Sequence, residues 1–222
     1  MKWIRCAGAA LAAWLLAGTA AAGTIEGSVT LTPADLAFRG EAKPNAYVGQ
    51  LEGSAGNSGS VVVSDTTYGV AYVSDLAAPP EPPPPALLDQ RDQRFVPRIL
   101  AIVAGQSVVF RNSDRVFHNV FSYSPPKRFD LGRYARGKSK TLSFRKPGLV
   151  QIYCDIHSDM RADLVVVPSA YFAYVNAGGG FRIDGVPAGA HSVTIWLPRR
   201  GERTLDAAVP ETGAVAVALG AE

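Results

Sequence analysis

Short apolar runs separated by Gly, Pro, Asn and Asp follow one another from residue 23 to the end of the chain. That pattern predicts an all-β protein with no helix after residue 23. Strands are expected at Thr24–Leu31, Ser60–Ser64 and Val70–Ser74, then at Ile99–Val103, Ser107–Arg111, Lys140–Phe144, Val150–Cys154 and Asp163–Val167. Hairpin-like elements follow around Gly178-Gly179-Gly180 and Val186-Pro187-Ala188-Gly189. Within Val150–Cys154, apolar Val150 and Ile152 alternate with Gln151 and Tyr153, so Cys154 falls on the face expected to meet the core.

The runs divide into regions. Residues 1–22 carry Lys2 and Arg5, then an apolar stretch, then Ala20-Ala21-Ala22, the layout of a secretory signal peptide cleaved near Ala22 or Gly23. The apolar run is short for a spanning helix, so no membrane span is expected after cleavage, and the expected location is the periplasm. Residues 23–77 are rich in Gly and Ser. A Pro-rich stretch at 78–87, with Pro79-Pro80-Glu81-Pro82-Pro83-Pro84-Pro85 at its centre, reads as a stiff spacer. Residues 88–168 are denser in strands, and 169–222 form a further strand-rich region.

Charge adds little. The chain has 22 Lys and Arg against 19 Asp and Glu. Without Lys2 and Arg5 the balance is 20 to 19, so the exported protein is close to neutral and its overall charge predicts no nucleic-acid partner.

Sulfur changes the picture more. Cys6 and Met1 fall in the leader, which leaves Cys154 and Met160 as the remaining cysteine and methionine. A lone cysteine in an exported chain forms no internal disulfide, so it is either an inert buried thiol or a chemical group. Both soft sulfurs lie in Cys154-Asp155-Ile156-His157-Ser158-Asp159-Met160, with His118 upstream. A copper ion cycling between two oxidation states suits such a set, because thiolate and thioether favour Cu(I) while imidazole serves both states. Zinc has little use for a thioether. A catalytic Cys–His pair needs an orienting third group, which methionine does not supply. Ordinary packing of a buried Cys beside a His remains the structural alternative.

Phe95-Val96-Pro97-Arg98-Ile99, Gly105 to Phe110, Asn112-Ser113-Asp114, Phe117-His118-Asn119-Val120-Phe121 and Phe129-Asp130-Leu131-Gly132 together resemble a plastocyanin/azurin-like cupredoxin. The nearest group is that of the periplasmic methylamine-utilisation-type proteins, and the 154–160 loop resembles the short ligand loop of amicyanin-like members. The resemblance implies a Greek-key β-sandwich over 88–168. It further implies one mononuclear type 1 copper on His118, Cys154, His157 and Met160. It gives Asn119 the task of tying the ligand strand to the cysteine loop. Phe117, Phe121 and Ile156 would rim an exposed edge of His157.

The implied activity is electron transfer without substrate chemistry, the protein acting as a carrier and not an enzyme. The partner would be a redox protein, a cytochrome or a periplasmic dehydrogenase or oxidase. Ten Lys and Arg between Arg111 and Lys146, against Asp114 and Asp130, would suit an acidic docking face on it. Two other functions fit the sequence, copper chaperoning or storage, and a binding sandwich without redox activity.

Phe181 to Gly189 and Ser192–Leu197 resemble the last strands of carboxypeptidase-regulatory-like (transthyretin-like) sandwiches, and Gly23-Thr24-Ile25-Glu26-Gly27-Ser28-Val29 resembles their opening strand. A second, discontinuous β-sandwich from 23–77 and 169–222 is therefore expected, with the cupredoxin inserted. His191 is expected to be structural.

Overall fold

A computed structural model describes residues 21–37 and 67–221. Residues 1–20 of the expected leader and the expected Ser60–Ser64 strand lie outside the described residues, whereas Ala22 opens the first strand and pairs with Pro187. The first elements are β1 (Ala22–Val29), α1 (Pro33–Ala37), β2 (Gly69–Val73), β3 (Ala86–Arg91), β4 (Arg94–Val96) and β5 (Ile99–Val103). Next come β6 (Ser107–Asn112), β7 (His118–Ser122), β8 (Phe129–Tyr134), β9 (Ser139–Ser143), β10 (Gly148–Tyr153) and β11 (Arg161–Val167). The last are β12 (Phe172–Val175), β13 (Gly180–Pro187), β14 (Gly189–Leu197), β15 (Gly201–Val209) and β16 (Ala214–Leu219). No described helix is long and apolar enough to cross a membrane.

Several details differ from the sequence reading, beginning with strands it did not expect, among them β3, β4, β8, β15 and β16. A single helical turn, α1, follows β1. Thr32 explains it: the Asp35 backbone N–H donates to the Thr32 hydroxyl, and Asp35 Oδ2 accepts from the Thr32 N–H and hydroxyl, a reciprocal cap that stabilises even a very short helix. The expected 78–87 spacer also ends early. Ala86 and Leu87 already belong to β3, pairing in parallel with Val108 and Val109.

The protein is all-β and contains a cupredoxin-like β-sandwich. One of its sheets has the order β5-β11-β10-β7-β8 and the other β4-β3-β6-β9. Between them lies a core that includes Leu88, Phe110, Val120, Phe144, Val150, Ile152 and Leu164. The alternation in β10 has the predicted outcome: Val150, Ile152 and Cys154 are buried in that core, whereas Gln151 is exposed.

The flanking segments pair with each other. β1 runs antiparallel to β13 and parallel to β16, and β2 lies between β12 and β14 in a sheet of order β12-β2-β14-β15. These two sheets enclose a second core, including Ile25, Ala71, Val193 and Ile195. Two glycines of the opening strand are sterically required. A Cβ on Gly27 would lie 1.9 Å from the Phe181 ring, and one on Gly23 would lie 2.5 Å from the Pro210 carbonyl.

A third cluster joins the halves. Ile99, Ala101 and Val103 of β5 and Val165 and Val167 of β11 pack with Val70 and Tyr72 of β2 and Trp196 of β14. Alternate residues of these strands thus serve different cores: Leu100 and Ile102 face the first, Ala71 and Val73 the second. That explains why β2 and β5 are apolar throughout, since both faces are covered. The Ala101 N–H donates to the buried Tyr174 hydroxyl at 2.9 Å across this junction, and burial pushes the Tyr174 phenol up to about 12.

Candidate metal centre

β7 and the β10–β11 connection bring the chemistry together. His118 opens β7 and is fully buried. In the pairing of β7 with β8 the register shifts between Asn119 and Phe121, a bulge, and His118, Asn119 and Val120 are all buried. The 154–160 loop is closed on itself: the Cys154 N–H donates to the Met160 carbonyl at 3.3 Å and the Met160 N–H to the His157 carbonyl at 3.0 Å. That narrow closure puts Cys154 and His157 on the same side, facing His118.

The donor atoms converge. The Nδ1 atoms of His118 and His157 are 3.1 Å apart, and Cys154 Sγ lies 4.0 Å from the first and 3.8 Å from the second. A point equidistant from three atoms at these separations, the centre of their circumscribed circle, lies about 2.1 Å from each. Metal–nitrogen and metal–sulfur bonds run from about 2.0 to 2.3 Å, so the spacing of the three donors would suit one bound ion. Thiolate plus two imidazoles in a plane is a donor set suited to copper.

The other two sequence candidates are placed nearby. Met160 is fully buried in the same core cluster as Cys154, and its backbone is bonded to Cys154 and His157 as described. Asn119 is 4% exposed, and its Oδ1 has no hydrogen-bond partner among the described residues. His157 is half-buried, while Phe117 and Ile156 are exposed and Phe121 is partly covered.

Sequence reading missed the residue that orients His118. Asp114 Oδ2 accepts from His118 Nε2 at 2.7 Å. With that nitrogen carrying the proton, Nδ1 presents its lone pair toward Cys154 and His157. Asp114 is itself fixed by the N–H groups of Asp92 and Gln93, at 2.6 and 2.8 Å. These residues form the β3–β4 turn, both with positive φ (52° and 54°), which aims successive N–H groups at one carboxylate. Burial pushes the Asp114 carboxyl up, but the Gln93 and Asp92 N–H groups and the His118 ring outweigh it and hold it below its usual range. The available signal was an aspartate four residues before the candidate histidine.

His191 has a structural setting. Its Nδ1 meets Asp75 and its Nε2 the Pro187 carbonyl, both at 2.9 Å, which joins β14 to the segment after β2.

The class that the sheets define is a cupredoxin-like β-sandwich, here carrying a His–Cys–His cluster. No family model matches the chain, and no curated protein does. Among solved structures, a copper-containing nitrite reductase from Thermus scotoductus SA-01 is 24% identical over 42% of this chain and 25% of its own, with a TM-score of 0.37. The chain thus spans about a quarter of that enzyme's length. A purple cupredoxin from Nitrosopumilus maritimus is 22% identical over 36% of this chain and 98% of its own, with a TM-score of 0.34. A reduced amicyanin variant is 20% identical over 43% of this chain and 97% of its own, with a TM-score of 0.36.

Proposed function

We propose that this chain is a periplasmic carrier of single electrons with one type 1 copper ion held by His118, Cys154, His157 and Met160. The donor triangle, whose centre lies at bonding distance from Cys154 Sγ and both Nδ1 atoms, carries this reading. Copper in such a site supplies a one-electron couple.

The chain's own residues do the rest. Cys154 contributes a thiolate from the end of a core strand, and Asp114 holds the buried His118 ring in one orientation. The tight closure of the 154–160 loop fixes His157 against Cys154, and a donor frame that does not move keeps reorganisation small. Half-buried His157, beside exposed Phe117 and Ile156, offers the edge through which a partner exchanges electrons. Exposed Arg115, Arg133, Arg136, Lys138, Lys140 and Arg145 suit a redox protein with an acidic docking face. In this reading residues 1–22 are an export signal. The cupredoxin at 88–168 is an insert in a sandwich built from 23–77 and 169–222, a division supported by the β1–β13 and β2–β14 pairings.

Incubating the purified exported protein with Cu(II) tests the reading. The expected result is an intense visible thiolate-to-copper band that Cys154→Ser abolishes. A band of equal intensity in both proteins, or none in either, overturns it.

A further inference from the structure

The loop that bears Cys154 and His157 is also one wall of a cleft. Ile156, His157, Ser158 and Asp159 line it together with the β3–β4 turn, β4, Arg98 and Arg161, around a volume of about 680 Å³. Sites for small organic molecules run from roughly 300 to 1,000 Å³. An electron carrier that works through the edge of His157 has no need of a concave site of this size.

The lining has a definite chemistry. Three guanidinium groups, of Arg94, Arg98 and Arg161, face two carboxylates, of Asp92 and Asp159. The carboxylates and Arg161 are exposed, where water screens them, whereas Arg94 and Arg98 are half-buried. The less exposed charges of the lining are therefore both positive. Arg98 and Arg161 also lie close enough to buried Asp163 for their charges to act on its carboxyl. A guanidinium carries several N–H donors in a planar fork that matches a carboxylate. Phe95, Val96 and Ile156 add apolar surface beside the charge.

We propose that this cleft binds a small organic carboxylate, with its anionic end on Arg94, Arg98 and Arg161 and its apolar body against Val96 and Ile156. A bare inorganic oxyanion would leave the apolar wall and most of the volume unused. Binding sets the ligand against the loop that carries Cys154 and His157, so a small molecule and that loop share one surface. The cleft is built from protein groups alone, so the proposal stands or falls independently of the copper reading.

Titration calorimetry of benzoate into the metal-free full chain tests it. The expected result is saturable one-to-one binding. It weakens at least tenfold when Arg94→Gln and Arg98→Gln are combined, and stays unchanged in Arg199→Gln, an exposed position that does not line the cleft. Should the double variant lose its wild-type circular dichroism, Ser158→Trp takes its place, a bulky group added at an exposed wall position. Absence of saturable heat, equal affinity in the cleft variants, or sulfate binding as tightly as benzoate would overturn it. Benzoate binding in a protein that forms no thiolate-to-copper band would uphold the cleft and refute only the copper reading.

Discussion

Replacing Asp114 by asparagine removes one charge from behind His118 while keeping the shape and an acceptor oxygen. The 2.7 Å hydrogen bond, an imidazole of about 2.2 Å between its nitrogens and a metal bond of about 2.1 Å put the carboxylate about 7 Å from a bound ion. At an effective dielectric of about 20, a unit charge at that distance contributes about 2.4 kcal/mol, or about 100 mV for one electron. Its sign favours the oxidised, more positive ion, so Asp114→Asn raises the reduction potential. The Asp114 side chain is 12% exposed, and partial screening trims the expected shift to about 50–100 mV. Asp114→Ala has a different signature. The Asp92 and Gln93 N–H groups sit at an exposed turn and can turn to water, but His118 Nε2 is buried and loses its acceptor, at about 1–3 kcal/mol. Voltammetry of the copper-loaded variants reads the potential. Nitrogen-15 shifts of the His118 ring in the metal-free protein read the tautomer, retained in Asn and mixed in Ala. A potential that falls, or rises by less than about 20 mV, would show that the Asp114 charge is not felt at the site.

Two further outcomes follow from the cores. Ile99→Ala in the junction costs about 2–5 kcal/mol, and urea unfolding followed by Trp196 fluorescence loses as much as that followed by circular dichroism. Separate shifts in the two signals would mean that the halves unfold independently. Burial raises the Asp163 carboxyl, against the lowering effect of Arg98 and Arg161. A raised folded value means stability that is full below the unfolded value of about 3.9 and lost as pH climbs through the folded one. Asp163→Asn lacks that loss, so its stability relative to wild type rises with pH across the acid range. Urea midpoints at several pH values check this, and a difference that stays flat or falls with pH refutes it.

The features legible in the sequence share a physical cause, that they are local. Cys154, His157 and Met160 lie in one loop, and the alternation leading into it predicts the buried face that Cys154 occupies. The β1 opening was legible because the residues that force it, Gly23 and Gly27, sit inside the strand itself. What was not legible depends on pairings between distant segments. Asp114 matters because a β3–β4 turn more than twenty residues upstream donates to it, and no spacing rule connects the two. The short α1 depends on side-chain capping by Thr32 and Asp35, which competes weakly with a strand-rich background. The continuous apolar runs of β2 and β5 announce burial on both faces, yet do not say which partner covers the second face.

That second face bears on the metal centre. Strand β11 begins directly after Met160 and pairs with β10, which ends directly before Cys154. On one side β11 contributes Ala162, Leu164 and Val166 to the core that contains Cys154 and Met160. On the other it contributes Val165 and Val167 to the junction with β2 and β14. Strand β11, which anchors the far end of the loop, is therefore held from two sides, one of them supplied by the flanking segments. Close-packed interiors resist displacement, so a donor frame mounted on such strands keeps its dimensions better than one on a strand open to water. The flanking sandwich thereby steadies the candidate centre mechanically and, among the described residues, supplies none of its three clustered donors.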